Sequence, residues 1–322
     1  MTWLVTGGAG YIGAHVVEQL LASQRSVVVL DDLTTGMVSR IPEGVTLEQV
    51  TLTDAQLVEH VFKAHEITGV IHLAAKKQVA ESVAHPEYYW QENVVGLQNL
   101  LDAMSNHGVT KIVYSSSAAV YGQPDIGQDA LIDETTHCEP INPYGATKLV
   151  GEWLARSRTV SDDFSVAALR YFNVAGAGRP ELGDQFEFNL VPIALSALTQ
   201  GKNPILFGDD YPTPDGTCIR DYIHVHDLAQ AHVSAVEFIE NKNGIFESFN
   251  IGTGVGSSVR EVLKAIAHVT DIHLEPTVAP RRAGDPAQLV ASVAKARDIL
   301  SWTSTRTLDD IAASAWEAWS RR

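Results

Sequence analysis

Gly7-Gly8-Ala9-Gly10-Tyr11-Ile12-Gly13 decides how the rest of this sequence is read. It follows a short apolar run, Trp3 to Thr6, and opens a helical pattern from Tyr11 to Ser23. Glycines at Gly7, Gly10 and Gly13 permit positive φ and let backbone N–H groups approach a pyrophosphate. The helix that follows offers that anion unpaired donors and a favourable dipole. A glycine triplet alone is weak evidence, since a tight strand-to-helix turn needs glycine too. This one is paired with Asp31, which ends the β-branched run Val27 to Leu30, 18 residues beyond Gly13. An acid about 20 residues on is expected to hold the 2′-hydroxyl of a dinucleotide ribose. Asp31 and Asp32 would repel a 2′-phosphate there, which favours NAD over NADP.

Outward from this loop, strand and helix patterns alternate. Val70 to Leu73, Lys111 to Ser115 and Ser165 to Arg170 read as strands, and His85 to His107 and Tyr144 to Arg158 as helices. Continuous apolar strands separated by helices mean a parallel sheet covered on both faces. The expected fold class is therefore α/β: a doubly wound, Rossmann-like parallel sheet with a second, smaller α/β substrate-binding domain. Prolines and glycines cluster from Gly176 to Gly216, which places a boundary near Ala175. The expected division is 1–175 as the dinucleotide domain and 176–322 as the smaller lobe. Residues 221–252, a further strand–helix–strand pattern, are expected to return to the first sheet.

Composition excludes several classes. With 39 acids against 23 bases the net charge is −16. Nucleic acid and anionic membranes call for clustered bases, so neither is an expected partner. Two cysteines, Cys138 and Cys218, make no disulfide framework. The N-terminus lacks a basic n-region and a long apolar core, and no run of about 18 apolar residues occurs, so a cytoplasmic protein is expected. No Cys/His cluster has ligand spacing. His224-x-His226 would share one strand face but lacks a third ligand, so no metal is expected.

Catalytic candidates lie downstream. Tyr144-Gly145-Ala146-Thr147-Lys148 opens a helix, and residues i and i+4 share a face, so a phenol and an ammonium project together. A tyrosine near its usual pKa of about 10 is a poor base, and a neighbouring cation favours its phenolate. Ser115-Ser116-Ser117 ends the strand begun at Lys111. Strand carboxyl ends are where ligands bind in such sheets. Ser117 is the favoured donor because it lies nearest the loop. A solvated helix face and ordinary turn serines are the plain alternatives. Tyr88-Tyr89-Trp90 is expected to pack its helix, and Leu97, Leu100 and Leu101 offer a possible dimer face instead. Trp316 and Trp319 are expected in the core of the last helix.

The chain resembles the extended short-chain dehydrogenase/reductase family over nearly its whole length. It is similar in particular to the branch that inverts C4 of UDP-hexoses. The resemblance rests on the motifs above and on Leu169-Arg170-Tyr171-Phe172-Asn173, the run Phe207 to Thr213, Asp215 to Val225, Asn250 to Gly254, and Ala279 to Asp285. It implies NAD as cofactor, a UDP-sugar as substrate, and interconversion of UDP-glucose and UDP-galactose through a 4-keto sugar. It also implies a homodimer. Ser117 and Tyr144 would be the catalytic pair, with Lys148 holding the cofactor and tuning Tyr144. Besides the glycine loop, Tyr11, Ile12, Asp31, Asp32, Lys77 and Phe172 would contact NAD. Asn173, Asn189, Phe207, Arg220, Arg282 and Asp285 would bind the UDP-sugar alongside Ser117 and Tyr144. Arg220 and Arg282 are suited to diphosphate oxygens, Phe207 to uracil, and Asp285 to ribose hydroxyls.

Departures from the family pattern matter as well. Thr51, followed by Leu52, stands where an aspartate commonly reads adenine. Glu92 stands where asparagine is frequent. Leu289 stands where some relatives have tyrosine, leaving room for an N-acetyl group, so UDP-N-acetylglucosamine is an alternative substrate; the resemblance also leaves UDP-xylose as an alternative. Ala118-Ala119 cannot transfer protons, which disfavours dehydratases that carry an acidic pair there. A non-catalytic dinucleotide sensor is the rival class, but it has no use for Tyr144 with Lys148.

Overall fold

The computed structural model describes residues 1–125, 127, 130–282 and 285–322. Its main sheet has seven parallel strands: β1 (Thr2–Thr6), β2 (Ser26–Leu30), β3 (Thr46–Glu48), β4 (Ile67–His72), β5 (Lys111–Ser115), β6 (Ser165–Tyr171) and a seventh, Ile245–Ile251. The spatial order is the seventh strand, then β6, β5, β4, β1, β2 and β3. The winding therefore reverses between β1 and β4.

Both faces are covered, and the side chains show it. Trp3, Val5, Val27, Val29, Val113, Ala167 and Leu169 enter one apolar cluster. Leu4, Val28, Leu30, Ile112, Tyr114, Val166 and Ala168 enter another on the opposite face. Alternation by two along each strand produces this, and burial on both faces is why the strands read as unbroken apolar runs.

Helices α1 (Tyr11–Ala22), α2 (Ala55–Ala64), α3 (Val79–Ala84), α4 (Pro86–Trp90), α5 (Gly96–Asn106) and α6 (Pro143–Ser161) connect these strands. The stretch expected as one helix from His85 to His107 is continuously helical from Pro86 to Asn106, in three segments. Gln91–Val95 is a π-helical turn between α4 and α5. Within it Asn93 is drawn inward, bonding the Lys76 backbone and the Thr147 hydroxyl. Widened turns of this kind accompany such local demands. Tyr89 packs as expected, but Tyr88 and Trp90 are exposed. Leu97, Leu100 and Leu101 are fully buried in the core, so they cannot form a dimer face.

The remaining chain builds a smaller lobe. It comprises β7 (Asn173–Ala175), α7 (Leu190–Thr199), β8 (Ile205–Phe207), β9 (Ile219–His224), β11 (Gly256–Ser258), α9 (Val259–Thr270), β12 (Thr277–Ala279), β13 (Gln288–Leu289) and α11 (Leu308–Ser320), while α10 (Ala294–Leu300) packs back on the large sheet's core. Here β9 pairs with β7, β11 and β13, while β12 pairs with β8. Within 221–252, α8 (Val225–Glu240) and the seventh main strand, β10, lie with the large sheet. The strand before them, β9, belongs to the small sheet instead. Trp316 and Trp319 are half-buried against the small lobe's core. His224 does not share a strand face with His226. It caps α8, accepting from the His226 amide at 3.1 Å, and its other ring nitrogen meets Ser314 at 3.0 Å.

Candidate active site

A cavity of about 960 Å³ opens at the carboxyl ends of the main strands, over the winding reversal. Gly7, Asp31, Leu73, Ser117 and Phe172 border it, each just beyond a different strand. This is where an open α/β sheet holds ligands. Every site residue expected from sequence lines this cavity except Phe207.

The glycine loop is shaped by contact. Only Gly7 of the three spaced glycines takes positive φ, at 72°. A Cβ on Gly7 would lie 2.7 Å from the Ala74 amide nitrogen, and one on Gly13 would lie 2.0 Å from the Gly7 carbonyl oxygen. Gly13 is thus glycine for close helix-to-loop packing rather than for its backbone angles. The Gly7, Ala9 and Gly10 amides are bonded within the fold, so the first amides of α1, at Tyr11 and Ile12, are the donors left for a pyrophosphate, which is the fit expected for NAD. Asp31 anchors the loop, its carboxylate accepting from the Ala9 amide at 3.0 Å and the Leu33 amide at 2.9 Å. Each oxygen keeps a lone pair for a ribose hydroxyl. The phenol of Tyr11 is committed elsewhere, donating to the Gly176 carbonyl at 2.6 Å.

The three serines at the end of β5 are sorted by their partners. The Ser115 hydroxyl meets His232 Nε2 at 2.9 Å, and Ser116 donates to buried Glu152. Ser117 caps the following turn by accepting from the Ala119 amide at 3.1 Å, and it lies beside the Tyr144 phenol, whose pKa it lowers. Of the three, only Ser117 borders the cavity. Helix α6 brings Tyr144 and Lys148 to the same place. Asn142 caps its first turn, accepting from the Gly145 amide at 2.9 Å. Gly145 lets the helix approach the serine turn, since a Cβ there would lie 2.5 Å from the Ala119 carbonyl oxygen.

Lys148 is buried and donates to the Ser115 carbonyl at 2.8 Å. Burial pulls its pKa down to about 7. The expected lowering of the Tyr144 pKa is not found in the protein alone. Burial raises it, and the Ser117 hydrogen bond offsets only part of that rise. The tuning cation named in the sequence argument is itself weakened by burial, so the phenol remains protonated at neutral pH in the free protein.

At the other end, Arg220 donates to Asp285 at 3.2 Å and to the Ile219 carbonyl at 2.8 Å. Its guanidinium is thereby held with part of its donor fork free. Arg282 lies with its guanidinium 4.0 Å from the Phe207 ring centroid, so Phe207 backs the arginine rather than the cavity. Asn189 begins α7 and reaches Asp184 at 3.3 Å. Lys77 lies over the Phe188 ring. Ala283 and Gly284, within the Ala279 to Asp285 motif, lie outside the described residues.

Sequence reasoning did not single out Lys76, Tyr171 or Phe188, which also border the cavity. The stretch after β4 carried the signal for Lys76: it sits at a strand's carboxyl end beside Lys77. Among the described residues no three metal-binding side chains cluster, and no helix is long and apolar enough to cross a membrane.

Comparison with known proteins agrees with this geometry. A family model described as the NAD dependent epimerase/dehydratase family matches residues 3–252. The chain is 43% identical to the UDP-glucose 4-epimerase of Corynebacterium glutamicum over 319 residues, covering 98% of this chain and 95% of that one. It is 43% identical to the enzyme of the same name from Bacillus subtilis, covering 98% and 96%. Among solved structures it is similar to UDP-glucose 4-epimerase from Bifidobacterium longum in complex with NAD+ and UDP, with a TM-score of 0.92, 38% identity, and 100% and 98% of the two chains covered. It is also similar to the UDP-Glc/GlcNAc 4-epimerase of Campylobacter jejuni, with a TM-score of 0.88, 36% identity, and 100% and 99% covered.

Proposed function

Because the chain belongs to the NAD-dependent epimerase/dehydratase family, we propose that it interconverts UDP-glucose and UDP-galactose by inverting C4, with NAD as cofactor. One observation carries the reading: Ser117, Tyr144 and, one turn on, Lys148 line the same cavity that the glycine loop borders. The large-sheet part is the dinucleotide domain, and the smaller lobe holds the UDP-sugar.

NAD supplies a reversible hydride acceptor for C4. The chain's residues do the rest. The positive charge of a bound nicotinamide would favour the Tyr144 phenolate, which takes the 4-hydroxyl proton at its oxygen as C4 is oxidised and returns it after the sugar has turned over. Ser117 holds that oxygen by donating its hydroxyl proton, and Lys148 holds cofactor ribose. Arg220 and Arg282 anchor the diphosphate so that the 4-keto sugar rotates without escaping. Asn173 and Asn189 bond sugar hydroxyls, and Asp285 bonds the uridine ribose. Ala118 and Ala119 offer no acid or base for elimination, so the keto sugar is returned rather than dehydrated.

Leu289 borders the cavity and carries no ring to fill it, which supports N-acetylated UDP-hexosamines as further substrates. The homodimer expected by resemblance finds support in exposed Trp90, Val95 and Trp153, on helical segments beside one another. Analytical ultracentrifugation tests it. A cytoplasmic location and a place in galactose metabolism follow from the same reading.

The test of activity is incubation with UDP-galactose without added reductant, following UDP-glucose. Formation of UDP-glucose supports the proposal. No conversion by NAD-loaded protein of any member of a UDP-galactose, UDP-N-acetylglucosamine and UDP-xylose panel would remove it.

A further inference from the structure

We propose that Glu92 reads the exocyclic amino group of the cofactor's adenine, from the helical wall of the cavity. The inference rests on the reading of this cavity as the NAD site. The glycine loop fixes the pyrophosphate and Asp31 the adjoining ribose, so the base lies beyond Asp31, on the β3 side. There Val50, Leu52 and Ala74 give apolar surface suited to a flat heterocycle.

The polar groups at that end are nearly all committed. The Thr51 hydroxyl is bonded to that of Thr53 at 2.9 Å. Asp31 accepts two amides, and Asp32 accepts the Thr34 amide at 2.8 Å. Glu92 is different. Among the described residues its carboxylate has one ionic partner, Lys76, at 4.0 Å, and that is too long for a hydrogen bond. It borders the cavity with its acceptor capacity intact.

The fold holds Glu92 against the loop after β3. One turn further on, a Cβ on Gly96 would lie 3.1 Å from the Leu52 Cβ. Asn99 donates to the Leu52 carbonyl at 2.9 Å. The helix is therefore seated on the Thr51–Leu52 segment, and Glu92 faces the slot from the other side. Lys76 is a positioning residue. Its backbone is clamped by Asn93 on both the amide and the carbonyl, at 2.8 and 3.0 Å. Its ammonium stands 4.0 Å from both Asp32 and Glu92 and aims the carboxylate; burial raises the Glu92 pKa, and this ammonium offsets part of the rise. Thr51 cannot supply the charged acceptor that an aspartate would; Glu92 supplies it from across the slot.

An ionised carboxylate only accepts, so it discriminates an amino group from a keto oxygen. The test is equilibrium binding of NAD and of its hypoxanthine analogue, which has a 6-oxo group in place of the amino group, to cofactor-free protein. Wild type is expected to prefer NAD by roughly tenfold or more, the usual strength of a hydrogen bond to a charged group. Glu92→Ala should abolish the preference by weakening NAD alone. Glu92→Gln, whose amide both accepts and donates, should flatten it to about twofold. If Glu92→Ala kept the full preference, or wild type bound both equally well, the assignment of Glu92 would fall while the cofactor reading stood. If wild type bound neither dinucleotide, the cofactor reading would fall and this proposal with it.

Discussion

At the scale of single residues, the site is decided by what each polar group has already bonded. Of three serines in a row, sequence favours Ser117 only by its nearness to the loop. Ser115 is occupied by His232 and Ser116 by Glu152, which leaves Ser117 for the cavity. Those partners lie 117 and 36 residues away along the chain, so no local pattern could have named them. Tyr144 and Lys148 were legible because their spacing is a helical turn, but their electrostatics were not. Burial moves the Lys148 pKa down to about 7. Folding thus disfavours its charged form. The associated stability is full above the ordinary lysine value of 10.5 and falls as pH drops towards 7. Lys148→Met should therefore stabilise the cofactor-free protein at neutral pH by about 0.5–2 kcal/mol while lowering turnover. Denaturant melts and kcat measured on the same preparation check this; a less stable variant would show that Lys148 is well satisfied when charged. Tyr144→Phe should cut kcat by about 10²–10⁴-fold and leave NAD affinity nearly unchanged. Stopped assays with an NAD titration check this, and turnover at the native rate would remove Tyr144 as the base.

At the scale of elements, α6 is a positioning device for the chemistry. Its N-terminus must approach the serine turn within contact of the Ala119 carbonyl, and Gly145 permits this. Gly145→Ala sets a methyl against backbone that cannot yield, a cost of about 1–3 kcal/mol. It should also pull Tyr144 from Ser117, lowering kcat more than it raises KM. A variant with native kcat would mean the turn relaxes freely. The sequence made α1, β1 and α6 legible because periodicity and caps are local. It did not disclose the π-helical turn at Gln91–Val95. That widening answers to Asn93, which bonds Lys76 and Thr147 from elsewhere in the chain. The pairing of β9 was hidden for a similar reason. A short strand followed at once by a helix reads like another unit of the large sheet, and only its partners β7, β11 and β13 assign it to the small one.

At the scale of the whole molecule, a buried carboxylate ties α8 to the segment that leads into α11. Asp227, in the first turn of α8, accepts from the Thr305 and Arg306 amides, both at 2.9 Å, and from the Arg306 guanidinium. Burial pulls its pKa up, but these bonds outweigh that and hold it below the usual 3.8. The folded value is depressed, so the stabilisation is present above the ordinary pKa and is lost as pH falls through the folded one. Asp227→Asn should cost about 1.5–3 kcal/mol at pH 7, and the gap to wild type should narrow below about pH 4. Urea unfolding across that range checks the sign; a gap that widened in acid would contradict it.

Charge is also distributed at this scale. The chain carries −16, yet the cavity wall sets Lys76, Lys77, Lys148, Arg220 and Arg282 against Asp31, Asp32, Glu81, Glu92 and Asp285. The site is balanced and the excess acid lies elsewhere, so anionic ligands are not repelled where they bind.

The central claim, that C4 is oxidised and reduced within one closed site, is tested most directly with UDP-galactose carrying deuterium at C4. The account predicts UDP-glucose with that deuterium retained at C4, because the hydride never leaves the site. Deuterium lost to solvent would contradict it.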